Sequence, residues 1–390
     1  MKIGFWGNFG TGNFGNECTL SAILSNVRRY VPNAECVCIS NDPSDTIERH
    51  HIESYPISLA QGESTVHLSR PVRWMNRLMS EGRDWVRVFR TMRQFDMLIM
   101  TGTGMIADAN EGTLGAPYQM FKWVISATVA RRPVKFVSVG VEVLTQYRQH
   151  FWLASSLRLA AYRSFRDHMS RERAAKLIRK AQHDEIFPDL AFSLPESIIS
   201  SRHSVSSRLT NVVVGIYAVE GGQDQVRKYV STIGTFILWL VERNYLVRIV
   251  IGDAQYDYAV RDSLRSWLTE RAPQANVIDE DATSFEQLMV QLAEADLVVA
   301  TRFHNVLLAA ILGKPVISIS HMDKNDELMR AMGLEKYCCQ LNGAKPENIM
   351  SLFEDLVRNS EAIRQSIEER ALEFRNLLDR QYGDLFQTQT

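Results

Sequence analysis

Three cationic side chains follow two apolar, strand-like runs in the second half of the chain. Arg302 and His304 come directly after the run 297–300, and Lys324 comes shortly after the run 316–320. In a parallel α/β sheet, ligands bind at the carboxyl ends of strands and at the amino ends of the helices that follow. We therefore expect the three side chains to converge on one rim, where they would form an anion site that contains an acid–base group.

The chemistry of this site follows from the three residue types. Arginine binds a carboxylate or phosphate through two parallel hydrogen bonds, whereas lysine acts as a movable point charge. Histidine can hold and deliver a proton near neutral pH, which makes His304 the candidate general acid. His304 could instead be a core histidine with satisfied hydrogen bonds, but its position two residues after a strand-end arginine favours the acid–base role.

Composition restricts the class of protein. A chain of 390 residues exceeds what a single core usually supports, and a net charge of −1 argues against nucleic-acid binding through bulk electrostatics. The five cysteines show no spacing suited to zinc, so we expect no metal site and interpret Cys338 and Cys339 as incidental thiols. The sequence shows neither a secretory signal nor an apolar run of membrane-spanning length, so a cytoplasmic location is expected.

The elements that position the site alternate in the manner of parallel α/β domains. Strands are expected at 2–6, 35–40, 97–100, 134–139, 211–217, 246–252, 276–278, 297–300 and 316–320, and helices at 17–30, 73–93, 118–130, 230–242, 258–272, 285–293 and 306–312. After Glu347 a helix is expected to about Arg380.

A serine-rich stretch with little periodicity divides these elements into two series. We predict an N-terminal α/β domain at 1–195, a linker at 196–210, a C-terminal α/β domain at 211–355 and a terminal helix at 356–390 that packs back on the first domain. Two Rossmann-like domains that face a cleft form a GT-B-like architecture, with the functional cleft between the halves.

A glycine-rich loop at 7–17 follows the first strand and opens the first helix. Its segment 10–15 matches GxGxxG, and Asp42 after the second strand could bind a ribose, so a dinucleotide site is one interpretation. A structural turn is another. Aromatic and amide residues suit carbohydrate hydroxyls better than a pyrophosphate, and the polar-ligand interpretation is favoured. The candidate acceptor-binding residues in this loop are Asn8, Asn13, Asn16 and Glu17.

A second glycine loop, at 101–108, also follows a strand. Glycine, threonine and a carboxylate at a strand end are typical of a backbone that lies close to a ligand, although a loop crowded by its neighbour is an equal alternative. Thr103 and Asp108 are the candidate ligand-contacting residues here.

Landmarks along most of the chain resemble the polysaccharide pyruvyltransferase family, which ketalates sugars with pyruvate from phosphoenolpyruvate. They are the loop 7–17, Thr101-Gly102-Thr103-Gly104 with Asp108, Val139-Gly140-Val141, Phe165-Arg166-Asp167 with Ser170, the segment 188–192, Thr301-Arg302-Phe303-His304, the turn 313–316 and Lys324. The chain departs from the family pattern at Asn16, where an acid is usual, and at Thr103, where a glycine is usual. Both lie in the half that is expected to bind the sugar.

The resemblance implies a transferase with phosphoenolpyruvate as donor, a saccharide as acceptor and no cofactor. It assigns Arg302, His304 and Lys324 to the donor site, with Arg166 as a further donor-binding arginine from the first domain. Asp108 is the candidate base for the sugar hydroxyl. The acceptor belongs to surface or exopolysaccharide biosynthesis, and the family often uses lipid-linked precursors.

Two other functions stay open at this point, together with one question of location. The chain could be a GT-B glycosyltransferase that uses a nucleotide sugar, or a non-catalytic dinucleotide-binding protein. The segment 70–93 alternates arginines with tryptophans and apolar residues, which suits the surface of an anionic membrane. An ordinary solvated helix with inward tryptophans is the alternative that the sequence favours.

Overall fold

Parallel strands alternate with helices along the chain and divide into two α/β units. The computed structural model describes residues 1–59, 70–108, 112, 114–199, 209–219 and 221–386. The first unit comprises Met1–Thr11, Thr19–Leu190 and Leu378–Thr390, and the second comprises Gly12–Cys18 and Ala191–Leu377. The predicted linker 196–210 lies mostly outside the described residues.

The first unit is built on a seven-stranded parallel sheet. Its elements are β1 (Lys2–Trp6), α1 (Phe14–Tyr30), β2 (Glu35–Ser40), α2 (Pro43–His50), β3 (Glu53–Pro56), α3 (Arg70–Met92), β4 (Met97–Thr101), α4 (Ala116–Val129), β5 (Val134–Val139), α5 (Tyr147–Leu159), β6 (Tyr162–Phe165), α6 (His168–Leu177) and β7 (Glu185–Ile186). The strand order is β3-β2-β1-β4-β5-β6-β7, so the order reverses between β1 and β4.

The second unit repeats this plan with six parallel strands. Its elements are α7 (Glu196–Ile199), β8 (Asn211–Gly215), α8 (Gln223–Glu242), β9 (Leu246–Val250), α9 (Tyr258–Arg271), β10 (Val277–Asp279), α10 (Phe285–Ala293), β11 (Leu297–Ala300), α11 (Phe303–Ile311), β12 (Val316–Ser320), α12 (Asp323–Ala331), β13 (Cys338–Gln340), α13 (Pro346–Arg358) and α14 (Ser360–Phe386). The order β10-β9-β8-β11-β12-β13 reverses between β8 and β11. In such sheets ligands bind at the point of reversal, beyond the carboxyl ends of the strands.

The fold class predicted from the sequence, two Rossmann-like α/β domains, is confirmed. Central strands are buried on both faces, as every residue of β4 and β11 is, and this produces the continuous apolar runs that predicted them. Several predicted helix bounds are wrong. Helix α8 begins at Gln223, seven residues earlier than expected, and α1 and α3 each begin three residues early, at Phe14 and Arg70. Helix α11 begins at Phe303, three residues earlier than expected, and the terminal helix is interrupted at Asn359 between α13 and α14.

The last turns of α14 pack on the first sheet. The Lys135 ammonium donates to the Leu385 carbonyl at 2.7 Å, and the Gln381 amide accepts from Ser138 Oγ at 3.1 Å and donates to Ser164 Oγ at 2.7 Å. Ser138 and Ser164 lie on neighbouring strands, so one buried amide ties the helix end to both.

All five cysteines are free thiols, and two of them are adjacent on β13. Burial and a hydrogen bond to Asp326 raise the pKa of Cys338 to about 12, and burial raises that of Cys339 to about 11. Only the thiolate is nucleophilic, so we expect less than about one part in a thousand of either thiol to be reactive near pH 8.

Alkylation with iodoacetamide tests this expectation. Peptide mass spectrometry should show both residues labelled at least about 100-fold more slowly in the folded protein than in urea, since the unfolded chain restores an ordinary thiol pKa. Equal rates in the two states would contradict the interpretation of these residues as inert thiols.

Candidate functional site

The end of β11 and the start of α11 place two of the predicted site residues. The strand is apolar and buried to Ala300, and the Thr301 amide donates to the carbonyl of Gly215 on β8 at 3.0 Å. Arg302 is then the N-cap of α11, and His304 lies in its first turn. The first amides of a helix have no partner within the helix, and they favour an anion together with the helix dipole.

Arg302 is held by a buried carboxylate that precedes α9. Its Nε lies 3.1 and 3.0 Å from the two oxygens of Asp257, and its Nη2 lies 2.5 Å from Oδ1. The Asp257 carboxylate also accepts from the backbone amides of Ala218, Gly252 and Asp253 at 2.9–3.1 Å. The bidentate edge of Arg302, expected from the sequence to face a ligand, is therefore occupied by Asp257.

A second carboxylate faces the other side of the Arg302 guanidinium. Asp253 Oδ2 lies 3.9 Å from Arg302 Nη1, and burial raises the pKa of Asp253 against the opposing effect of Arg302. Burial lowers the pKa of Arg302, but the hydrogen bonds and charges of Asp257 and Asp253 outweigh it and leave that pKa above its ordinary value. The arginine is thus a permanent cation with a preset orientation.

An aromatic stack covers the face of the same guanidinium. The Arg302 Cζ lies 4.7 Å from the ring centroid of Tyr217, which follows β8. The imidazole of His321, after β12, lies against Tyr217 with ring centroids 3.9 Å apart and planes inclined at 30°. Residues from the ends of β8, β11 and β12 therefore meet where the strand order reverses.

Lys324 joins this group through the Phe303 ring. It is the second residue of α12, and its Nζ lies 5.8 Å from the Phe303 ring centroid. The His304 ring packs against the same phenyl group, with centroids 5.1 Å apart. The structure thus brings Arg302, His304 and Lys324 to one edge of the second sheet.

The first turn of α1 packs directly against His304. A Cβ built on Gly15 would overlap the His304 ring at Cγ, Nδ1 and Cδ2, so glycine is the residue that leaves room for the imidazole. The side chain of Asn13 holds this turn. Its Nδ2 donates to Asp253 at 3.0 Å, and its Oδ1 accepts from the backbone amides of Gly15 and Asn16. The residues Gly12–Cys18 belong to the second unit.

We expect Gly15→Ala to impair the reaction of the site through His304 alone. The added methyl group must displace the imidazole, and misplacing a catalytic group by about 1 Å can cost on the order of 100-fold in rate. The measurement is turnover at saturating donor, with Gly82→Ala as the matched control, since a Cβ on that helical glycine meets nothing within 4 Å. Equal turnover of the two variants would show that the position of His304 is not critical.

Asn305 follows His304 and is wedged between two glycines. A Cβ on Gly215 would lie 2.6 Å from its Nδ2, and one on Gly252 would lie 2.6 Å from its Oδ1. The side chain is fully buried, and within the described part of the chain neither amide atom has a hydrogen-bond partner. It therefore serves to pack α11 against the ends of β8 and β9.

Arg166 lies at the carboxyl end of β6 in the first unit, among three carboxylates. Its guanidinium is 3.3 Å from Asp167, 3.6 Å from Asp189 and 3.9 Å from Glu142. Burial lowers the pKa of Arg166, but these three charges together raise it above its ordinary value. Asp189 thus contributes to a buried ion cluster.

Asp108 is buried at the end of the second glycine loop. Its carboxylate accepts from the backbone amide of Gln146 and from the Thr145 hydroxyl at 3.3 Å. His150, in the first turn of α5, has its Nε2 3.9 Å from Asp108 Oδ2 and a side chain that is 30% exposed. Of the two groups the imidazole is the more accessible, and sequence reasoning missed it.

The other predicted acceptor residues fall in different places. Asn8 lies in the first unit, and its carbonyl accepts from Thr11 Oγ1 at 3.4 Å. Asn16 and Glu17 lie in the first turn of α1, where Glu17 is buried. Thr103 is buried after β4, and its hydroxyl has no hydrogen-bond partner among the residues described. Asp42, considered as a ribose ligand, caps α2 by accepting from the amides of Ser44 and Asp45.

The sequence matches the family model for polysaccharide pyruvyl transferases over residues 13–323. The chain belongs to this family. As a family member it is a transferase of polysaccharide biosynthesis. The match spans the region that contains Asp108, Arg166, Arg302 and His304, and ends at the residue before Lys324. No curated protein matches the chain.

Solved structures share the two-domain fold of this pyruvyl transferase family member at low sequence identity. UDP-GlcNAc 2-epimerase from Neisseria meningitidis, bound to UDP-GlcNAc, has a TM-score of 0.61 at 11% identity and covers 94% of each chain. The epimerase from Methanocaldococcus jannaschii gives 0.57 at 11% identity, over 91% of this chain and 92% of the other. An O-GlcNAc transferase variant from Thermobaculum terrenum gives 0.51 at 13%, over all of this chain and 69% of the other.

Sequence reasoning missed several residues that contact the predicted cations of this family member. Asp253 and Asp257 follow β9, and Tyr217 follows β8, so the strand-end rule that selected Arg302 could have selected them as well. His150 carried no such signal, because α5 was not among the predicted helices.

Proposed function

We propose that this enzyme transfers pyruvate from phosphoenolpyruvate to a saccharide and forms a cyclic ketal. The observation that carries the proposal is the family match over residues 13–323. The position of His304 at the amino end of α11, beside Arg302 and near Lys324, supports it. Phosphoenolpyruvate carries a carboxylate and a phosphate, which cations and helix amides can hold, and its methylene carbon must receive a proton from an acid.

The reaction balances with one acid and no redox step. A proton added to the methylene carbon of phosphoenolpyruvate gives a methyl group and an oxocarbenium-like centre at the adjacent carbon. One sugar hydroxyl attacks that carbon and loses its proton, and the bond from this carbon to the phosphate oxygen then breaks. A second hydroxyl attacks the same carbon and loses its proton. One of the two released protons restores the acid and the other is taken up by the departing phosphate, so the products are the ketal and inorganic phosphate.

We assign the first proton to His304 and the donor charge to Arg302 and Lys324, while Arg166 of the first unit stays a candidate donor-binding residue. Because Asp257 occupies Nε and Nη2 of Arg302, the group proposed to meet the donor is Nη1, which lies 3.9 Å from Asp253. Lys324 offers a mobile ammonium for the departing phosphate. His304 lies in the first helical turn, where the helix dipole favours a neighbouring anion beside the imidazole.

For the reaction of the sugar we propose His150 as the proton acceptor and Asp108 as the carboxylate that orients the His150 ring. The oxygens of Asp108 are engaged by Gln146 and Thr145, whereas the His150 ring is partly exposed beside them. An imidazole that is oriented by a buried carboxylate is a recurrent general base in enzymes. Asn8, Asn13, Asn16, Glu17 and Thr103 remain candidate acceptor contacts.

A second candidate function is glycosyl transfer from a nucleotide sugar. The observation that favours it is the resemblance of the fold to the UDP-GlcNAc 2-epimerase structures. A helix amino terminus such as that of α11 also suits a diphosphate.

Ligand-induced thermal stabilisation separates the two candidates. A ligand that binds only the folded state at 100 times its Kd stabilises it by about 2.7 kcal/mol. We expect saturable stabilisation by phosphoenolpyruvate and none by UDP-GlcNAc or UDP-glucose. Stabilisation by the UDP-sugars and not by phosphoenolpyruvate would favour glycosyl transfer as the function and contradict pyruvyl transfer.

The acceptor is proposed to be a surface or exported polysaccharide, or its lipid-linked precursor. Mass spectrometry of the surface polymer from cells that lack the gene should show the loss of a pyruvate ketal. A polymer that keeps all of its ketals would contradict this acceptor.

A further inference from the structure

Helix α3 carries an exposed apolar stripe on the surface of the first unit. Met75, Leu78, Met79 and Val86 are 49–60% exposed, and their spacing places them on one helix face. The side chains of residues 70–74 lie outside the described ones. Single exposed apolar residues are ordinary, whereas a contiguous stripe marks an interaction surface.

The exposed charges around this stripe have one sign. Arg83 and Arg90 lie beside the stripe along α3, and Arg77 is exposed on the other side of the helix. The helix's two acids, Glu81 and Asp84, are bound to the buried Lys122 at 2.6 and 2.7 Å. Asp84 also binds Arg87, which in turn donates to the Pro56 carbonyl.

The neighbouring helices extend the same surface. Helices α4 and α5 contain no acidic residue, and the exposed charged residues of α5 are Arg148 and Arg158. Tyr147 and Phe151 of α5 are exposed as well. Ring contacts join the two helices. Trp85 of α3 contacts Tyr118 of α4, Tyr118 contacts Trp152 of α5, and Trp152 contacts Phe151.

We propose that the outer face of α3 and α5 docks on an anionic lipid bilayer. Exposed apolar side chains with arginines beside them match the interfacial zone of such a bilayer, where the apolar groups enter the acyl boundary and the arginines meet anionic head groups. In the structure as described, no helix is long and apolar enough to cross a membrane, so the contact is peripheral. A protein partner would need acids to match these arginines, and it is the competing outcome of the test.

The location of this face gives it a use for the proposed reaction. The amino-terminal turn of α5, with Tyr147 and His150, follows the carboxyl end of β5, at the same edge of the sheet as Asp108. A bilayer that contacts Tyr147 and Phe151 would present a lipid-linked saccharide near this edge. This use rests on the proposed function, but docking itself requires neither donor nor acceptor.

Vesicle co-sedimentation tests the docking face. The purified protein should sediment with vesicles of phosphatidylcholine mixed with phosphatidylglycerol at low salt, and much less with phosphatidylcholine alone or at high salt. Arg77→Glu/Arg83→Glu/Arg90→Glu should lower the partition coefficient by on the order of 100-fold or more. Met75→Gln/Leu78→Gln/Met79→Gln should lower it while leaving the net charge unchanged.

A matched control has the same charge change elsewhere. Arg227→Glu/Arg271→Glu/Arg358→Glu alters three exposed arginines of the second unit, and its partitioning should fall far less. Equal loss in the control, or wild-type protein that ignores the anionic vesicles, would overturn the proposal. Light scattering that shows a dimer broken by the α3 variants, with vesicle binding intact, would assign the face to a second copy. None of these results depends on phosphoenolpyruvate, so a failure here is separable from a failure of the proposed reaction.

Discussion

His304→Ala is expected to lower turnover by about 10²–10⁴-fold, because a positioned general acid contributes this much to a proton transfer. The imidazole lies in the first turn of α11, and Gly15 leaves the space it occupies. Truncation removes the proton donor but leaves Arg302 fixed by Asp257. Donor binding should therefore survive, and phosphoenolpyruvate should still raise the melting temperature of the variant.

The measurement is phosphate release from phosphoenolpyruvate in the presence of saccharide precursor. His183→Ala is the control, since this exposed histidine is not among the proposed site residues. Turnover of His304→Ala within about a factor of ten of the wild type would remove His304 as the acid. Loss of both turnover and donor binding would instead make it a binding residue.

Asp257→Ala is expected to lower the free energy of unfolding by about 3 kcal/mol, since it leaves a largely buried arginine without its carboxylate. The Asp257 side chain is fully buried, and it accepts from three backbone amides as well as from Arg302. Those amides belong to the segments after β8 and β9. Removing the carboxylate therefore loosens both segments together with the cation.

Chemical unfolding followed by circular dichroism measures this loss. Asp224→Ala is the matched control, because its ion pair with Arg227 is exposed, and such pairs contribute about 0–1 kcal/mol. Asp257→Asn should lie between the two, since its amide oxygen can still accept from a backbone amide. A loss for Asp257→Ala no larger than that for Asp224→Ala would contradict the role assigned to this carboxylate.

The strands could be predicted closely because of where they lie. Both faces of β4 and β11 are buried, so the sequence is continuously apolar there and polar where each strand ends. Helix α5 could not be predicted in the same way. It has no side-chain N-cap, and its polar and aromatic residues show no strong apolar period. His150 was missed together with the helix that carries it.

The site was predictable in its position and less so in its contacts. The strand-end rule placed Arg302 and Lys324 at one edge without any knowledge of partners. The partner of Arg302 lies 45 residues earlier in the chain, and no local pattern specifies that pairing. The GxGxxG segment likewise predicted a close approach. The group that approaches Gly15 is the side chain of His304, and their separation in sequence conceals it.

The wedge formed by Asn305 has a consequence for sequence variation in the family. Its amide occupies the volume that side chains at positions 215 and 252 would need, and those positions are glycines that end or follow neighbouring strands. The three positions therefore share one steric constraint. In an alignment of relatives, Asn305 should covary with the two glycines, and chains with a smaller residue there should be the ones that tolerate alanine at 252, since a side chain at 215 would also meet Ala300.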